Sequence, residues 1–89
     1  MPVISDFYGV VIFLYYYDKG QHNRPHIHAR HAEFEAVIAI DNGDILTGDL
    51  PVSKMRLVQA WIEIHRQELM RAWKLAVTGY KPDKIEPLR

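Results

Sequence analysis

The stretch His26-Ile27-His28-Ala29-Arg30-His31-Ala32-Glu33-Phe34-Glu35-Ala36-Val37-Ile38-Ala39-Ile40 decides the fold class. Successive side chains of a strand point to opposite faces, so a half-buried strand reads with a period of two. In the second half Phe34, Ala36, Ile38 and Ile40 share one face, with Glu35, Val37 and Ala39 on the other. In the first half Ile27, Ala29 and His31 alternate with His26, His28 and Arg30. Asp41-Asn42-Gly43-Asp44 follows as a hairpin signal, because Asn-Gly tolerates the positive φ that tight turns need. Ile45 to Leu50 then returns as a further strand, which makes a meander and a mainly antiparallel sheet.

Working outward from this meander, residues 18–25 are polar, carry Gly20 and Pro25, and read as a loop. Before them Val10-Val11-Ile12-Phe13-Leu14-Tyr15-Tyr16-Tyr17 is β-branched and aromatic, as in a strand central in its sheet or covered on both faces. The three tyrosines read as sheet packing, with a partner surface as the alternative. Val3 to Tyr8 is a short entering strand, and Gly9 marks a turn or bulge. On the other side Pro51 ends the last strand and Ser53 is a good helix N-cap. From Lys54 to Thr78 the apolar residues Met55, Val58, Trp61, Ile62, Leu69, Ala72, Trp73 and Ala76 fall within one arc. Gly79 is the C-cap and Pro82 prevents continuation, leaving Ile85 and Leu88 as anchors for the tail. The expected architecture is α+β: a small twisted, mainly antiparallel sheet of about four or five strands with one long C-terminal helix packed on one face. The strands are expected at 3–8, 10–17, 26–32, 34–40 and 45–50, the helix at 54–78 and the tail at 79–89 of a single domain.

Eleven basic and eleven acidic residues cancel, so no global field draws in nucleic acid or an anionic membrane. Without cysteine the chain has no disulfides, no thiolate chemistry and no cysteine-based zinc site. The longest apolar run is far short of a membrane span, and the start does not read as a signal peptide, so a cytoplasmic protein is expected.

Four of the five histidines lie between His22 and His31, and the fifth, His65, falls inside the apolar arc of the helix with Glu68. Packing alone would choose neither residue there. Three apart on a helix, they can meet, which leaves either a satisfied core histidine or a site histidine steadied by a carboxylate. A site is expected where the helix meets the histidine strand. A strand over 26–31 puts His26, His28 and Arg30 on one face, toward a cleft or solvent, and Ile27 and Ala29 into the core.

Three chemistries fit. A divalent metal such as zinc could be held by His26 and His28 with a third ligand from His22, His65 or Glu68. Metal-free phosphodiester chemistry could use two histidines as base and acid while Arg24 and Arg30 hold the phosphate; the locally basic run from Lys19 to Arg30 is what speaks for RNA. The third is a binding surface without chemistry. The His-φ-His-φ-His run of the histidine-triad hydrolases is set aside, because here the third histidine is displaced by one position and faces the wrong side.

The chain as a whole resembles a prokaryotic family of short proteins known as domain-of-unknown-function family 4160. The residues that carry the resemblance are the Met1-Pro2 start, the early aromatic strand and Asn23-Arg24-Pro25-His26-Ile27-His28-Ala29. They continue with Gly48-Asp49-Leu50-Pro51, Leu57-Val58, Trp61-Ile62 with His65, Glu68-Leu69 with Trp73, and Lys84-Ile85-Glu86-Pro87-Leu88. Family members more often have Pro-Pro-His-Phe-His where Arg24-Pro25-His26-Ile27-His28 stands, and often Asn where Ala72 stands. No activity is established for the family, so no catalytic residue carries over. Its genes often lie beside those of a second small family, domain-of-unknown-function family 2442, an arrangement like a toxin–antitoxin module. The resemblance thus implies a protein partner, with RNA as a plausible target. The expected function is partner binding, extending to nucleic acid, through a face of Arg24, His26, His28 and Arg30 supported by His65 and Glu68. The alternative is a histidine-dependent ribonuclease or metal-assisted hydrolase. An open aromatic sheet edge would make a homodimer.

Overall fold

The computed structural model describes residues 1–17 and 24–89. Five strands, β1 (Val3–Phe7), β2 (Val10–Phe13), β3 (His26–His31), β4 (Phe34–Ala39) and β5 (Ile45–Gly48), precede two helices, α1 (Val52–Ile64) and α2 (Arg66–Val77). The strands form one sheet in sequence order with every neighbouring pair antiparallel, so the fold is α+β.

The period-two reading holds in the sheet. Ile27, Ala29, Ala36, Ile38 and Ile40 join one core cluster with Val58, Trp61, Ile62, Leu69 and Ala76 of the helices, and Phe34 packs against it. At an apolar burial value of about 25 cal/mol per Å², this helix-covered face is the main source of stability. By strand alternation, the opposite face carries Val11 and Phe13 from β2, His28 and Arg30 from β3, and Glu35 and Val37 from β4. The register supports this, since Phe13, His28 and Val37 are direct cross-strand neighbours, as are Val11, Arg30 and Glu35.

The turns depart in detail from the sequence reading. Between β1 and β2, Tyr8 (φ 51) and Gly9 (φ 80) form a two-residue loop with both φ positive, as type I′ geometry requires. Asn42-Gly43 does not: only Gly43 is positive (φ 79), and the Asn42 side-chain oxygen accepts from Asp44 N at 3.0 Å. The asparagine has bent the loop through its side chain instead of its backbone.

Three expected elements are corrected. The β2 strand stops at Phe13 instead of reaching Tyr17. Leu14 N still donates to Pro2 O at 3.1 Å, but Tyr17 N has turned away to donate to Ala76 O at 2.9 Å. The chain thus leaves the sheet for the end of α2. The single long helix is two, broken at His65 (φ −111, ψ 24). No proline or glycine marks the break, which coincides with tertiary contacts: His65 packs beside Trp61, and Arg66 Nε donates to Ile40 O at 3.0 Å. Ser53 is no cap either. The helix opens two residues earlier, on Pro51, whose carbonyl accepts from Met55 N.

Gly79 (φ 88) closes α2 as predicted. Its N–H bonds Ala76 O, and Tyr80 N–H bonds Leu75 O, the paired bonds of a Schellman motif. The tail then crosses to β1, where Ile85 N donates to Ile4 O at 2.8 Å and Trp61 Nε1 donates to Glu86 O at 2.8 Å. No helix among the described residues is long and apolar enough to cross a membrane.

Candidate functional site: two separate histidine clusters

The first cluster sits on β3. His28 is 9% exposed and His26 2%, so the two histidines expected to face a cleft or solvent are covered, and only Arg30 of that trio is open. Among the described residues, aromatic side chains contribute to the cover. Phe13, directly opposite, stacks on His28 with ring centres 5.3 Å apart, and Tyr15 meets His28 edge-on at 4.5 Å. The His26 ring lies 5.2 Å from His28 and 4.7 Å from Trp73 of α2. The helix therefore meets the histidine strand through Trp73, not through His65. His26 Nδ1–H donates to Arg24 O at 2.8 Å, since a carbonyl can only accept, and this fixes its tautomer.

Both arginines of the expected phosphate-holding set are already engaged. The Arg24 guanidinium donates to Asp41 at 2.8 Å and Asn42 at 3.0 Å, with Asp44 at 3.8 Å. That contact raises the Arg24 pKa and holds the Asp41 carboxyl below the usual aspartate range. Arg30 donates to Glu35 Oε1 from Nε and a terminal nitrogen at 3.3 and 3.2 Å, and its Cζ lies 5.0 Å from the Phe13 ring centre. The result is a layered face, with His28 against Phe13 and a neutralised, still exposed Arg30 over the ring. His31 is on the other parity and donates from Nδ1 to Gly9 O at 2.9 Å, bracing the first turn.

The second cluster is at the helix break. His65 and Glu68 meet as their spacing predicts, Nδ1–H donating to Glu68 Oε1 at 2.8 Å. Trp61 stands 5.6 Å from the imidazole. Ile64, His65, Glu86, Pro87, Leu88 and Arg89 line a concavity of about 330 Å³ between the break and the tail. The Arg89 guanidinium, hydrogen-bonded to the Glu86 carboxyl, holds it below its ordinary range. This is a carboxylate-steadied imidazole in a partly covered groove, with Nε2 as its remaining nitrogen.

The two clusters do not merge. Among the described residues no group of three His, Cys, Asp or Glu side chains could hold a metal ion, so His26, His28, His65 and Glu68 are not gathered into the expected ligand set. His22, the remaining candidate ligand, lies outside the described residues.

Residues 9–74 match the family described as Domain of unknown function (DUF4160). The chain belongs to this family. No curated protein and no solved structure matches it. The matched span of this DUF4160 chain runs from the first turn to the penultimate turn of α2. It therefore contains the strand cluster, His65 and Glu68, while the tail residues Glu86 to Arg89 that line the second groove lie outside it.

Proposed function

We propose that the chain is the binding component of a two-protein module and docks a protein partner through the face of the sheet opposite the helices. The observation that carries the reading is the layered constellation of Arg30 over Phe13, Phe13 on His28 and Tyr15 at the edge of His28. Buried aromatic and histidine rings hold one exposed arginine and one 39%-exposed tyrosine in fixed positions. Arginine and tyrosine on a rigid support are what protein interfaces use as anchors, because little side-chain freedom is lost on docking. The family resemblance suggests the candidate partner, a protein of domain-of-unknown-function family 2442, whose genes often lie beside those of this family.

The hydrolase reading would use His26 and His28 as base and acid with Arg24 and Arg30 on the phosphate, supported by His65 and Glu68. Both strand histidines are covered and both arginines are ion-paired, so binding is the reading that the geometry favours.

Co-purification and calorimetric titration with that neighbouring protein test the proposal. A stable complex is expected, weakened roughly tenfold or more by Arg30→Ala and by Tyr15→Ala, as for anchor residues. Absence of a complex, or full affinity in both variants, would overturn it.

A further inference from the structure

Beyond the sheet face, the geometry points to a second surface. We infer that the C-terminal end of α2 and the first residues of the tail bind single-stranded nucleic acid, by tyrosine stacking and unpaired cations.

Two exposed tyrosines are brought together there from distant parts of the sequence. Tyr17 is 70% exposed and Tyr80 66%. The Tyr17 backbone is bonded to Ala76 O, and its ring lies over the α-carbon of Gly79, the residue before Tyr80, where an added Cβ would strike the ring. Tyr17 also has a φ of 57°, the left-handed region, which for a bulky side chain is a genuine outlier. Such a conformation is strained and persists only where the surroundings enforce it. The fold holds a strained tyrosine with most of its surface in water, which a packing role does not call for.

The charges around this pair differ in kind from those of the sheet. Among the described residues, the ion pairs involve Arg24, Arg30, His65, Arg66 and Arg89. None engages Arg71, Lys74, Lys81 or Lys84. Arg71 and Lys74 are three apart, hence neighbours on one face of α2, and Lys81 follows Tyr80 directly. Arg71 and Lys84 line one concavity of about 200 Å³ between α2 and the tail. The carboxylates that share it are Glu68, already taken by His65, and Asp83. Cations of α2 and the tail that make no ion pair among the described residues, with Lys81 next to Tyr80 in the chain, and two solvent-facing aromatic rings match a strand whose phosphates are spaced along it and whose bases are unstacked. A duplex hides its bases and offers these rings nothing to stack on.

The test uses the full chain and fluorescence anisotropy with labelled oligo-uridine and oligo-thymidine of about twelve nucleotides, a length within the known range of such sites. A duplex of equal length serves as the comparison. Salt-dependent binding of the single strands and not the duplex is expected. Tyr80→Ala should weaken it roughly tenfold, as the loss of one stacked base does. Tyr17→Asn keeps a residue that tolerates positive φ and should also weaken binding, without a matching loss of thermal stability; a merely structural tyrosine would show the reverse. Lys74→Gln/Lys81→Gln should lower the slope of log affinity against log salt by about 1.4, the value for two lost phosphate contacts. Arg56→Gln provides a charge control, because α1 starts beside Tyr8, where Lys54 Nζ reaches Tyr8 O, at the other end of β2. Its affinity should stay within about twofold, below the cost of one stacked base. No binding at about 50 mM salt, where electrostatic contacts are strongest, would overturn the inference. So would equal loss in the Arg56 control, or a surface whose variants lose the protein partner and not the oligonucleotide.

Discussion

The cations on the sheet side of the molecule and those on the α2 side differ in what surrounds them. Arg24 and Arg30 stand in the most basic run of the sequence, yet each is met by carboxylates of the meander itself, Asp41 and Asp44 between β4 and β5 for one and Glu35 of β4 for the other. Arg71, Lys74, Lys81 and Lys84 belong to no conspicuous run, yet on α2 and the tail they make no ion pair among the described residues. Local charge along a chain is therefore a poor guide to where its field emerges. In a hairpin, the residues across the turn decide it, and β3 faces an acidic partner.

The largest expected effect breaks the sheet side. Phe13 is fully buried between His28 and Arg30, so Phe13→Ala removes the shared support of both. A loss of about 3–5 kcal/mol is expected from a buried aromatic truncation, read as the urea midpoint at constant slope. In the fraction that remains folded, partner affinity should fall while single-strand binding persists. A loss below about 1 kcal/mol, well under that range, would mean that the aromatic layer is not packed as described.

Gly79→Ala breaks the other side with a smaller cost. Its φ of 88° is unfavourable for alanine by about 1–2 kcal/mol, and the new methyl group displaces the Tyr17 ring. Oligonucleotide affinity should drop with stability, and the Arg30 face should keep its partner. Unchanged stability and unchanged oligonucleotide binding together would show that Tyr17 is not held over Gly79.

This contrast also marks what could be read from the sequence. The meander, its inward residues and the Schellman end at Gly79 were legible, because alternation, helical period and glycine punctuation are local signals. The meeting of His65 and Glu68 was legible for the same reason. The helix break was not, since the apolar arc runs through His65 without interruption and the break coincides with Arg66 reaching Ile40 on another element. Nor was the fate of the tyrosines. A β-branched and aromatic run reads as strand to its end, but after Leu14 N bonds Pro2 O the chain turns away, and Tyr17 N bonds Ala76 O of α2 instead. Tyr17 and Tyr80 could be joined only through the end of α2, a long-range contact with no sequence signature. The burial of His26 and His28 was hidden likewise, because their cover comes from β2 and from Trp73.

The smallest expected effect tests whether carboxylates are what silence the sheet-side cations. Arg24 depresses the Asp41 pKa in the folded chain through a direct hydrogen bond. A depressed acid binds its proton less readily folded than unfolded. Its contribution to stability is therefore present above the unfolded value and is lost as pH falls through the folded one. Stability should be level near neutrality and decline in acid, with a shallower decline in Asp41→Asn. Both side chains are largely in water, so high salt should shrink the difference between the two proteins. The same protonation releases Arg24, so the sheet side should turn cationic in acid and begin to bind oligonucleotides through Arg24, an added affinity that Arg24→Gln abolishes. An Asp41 carboxyl resonance that titrates in the ordinary aspartate range would mean that Arg24 is free at neutral pH, and the contrast between the two sides would then need another cause.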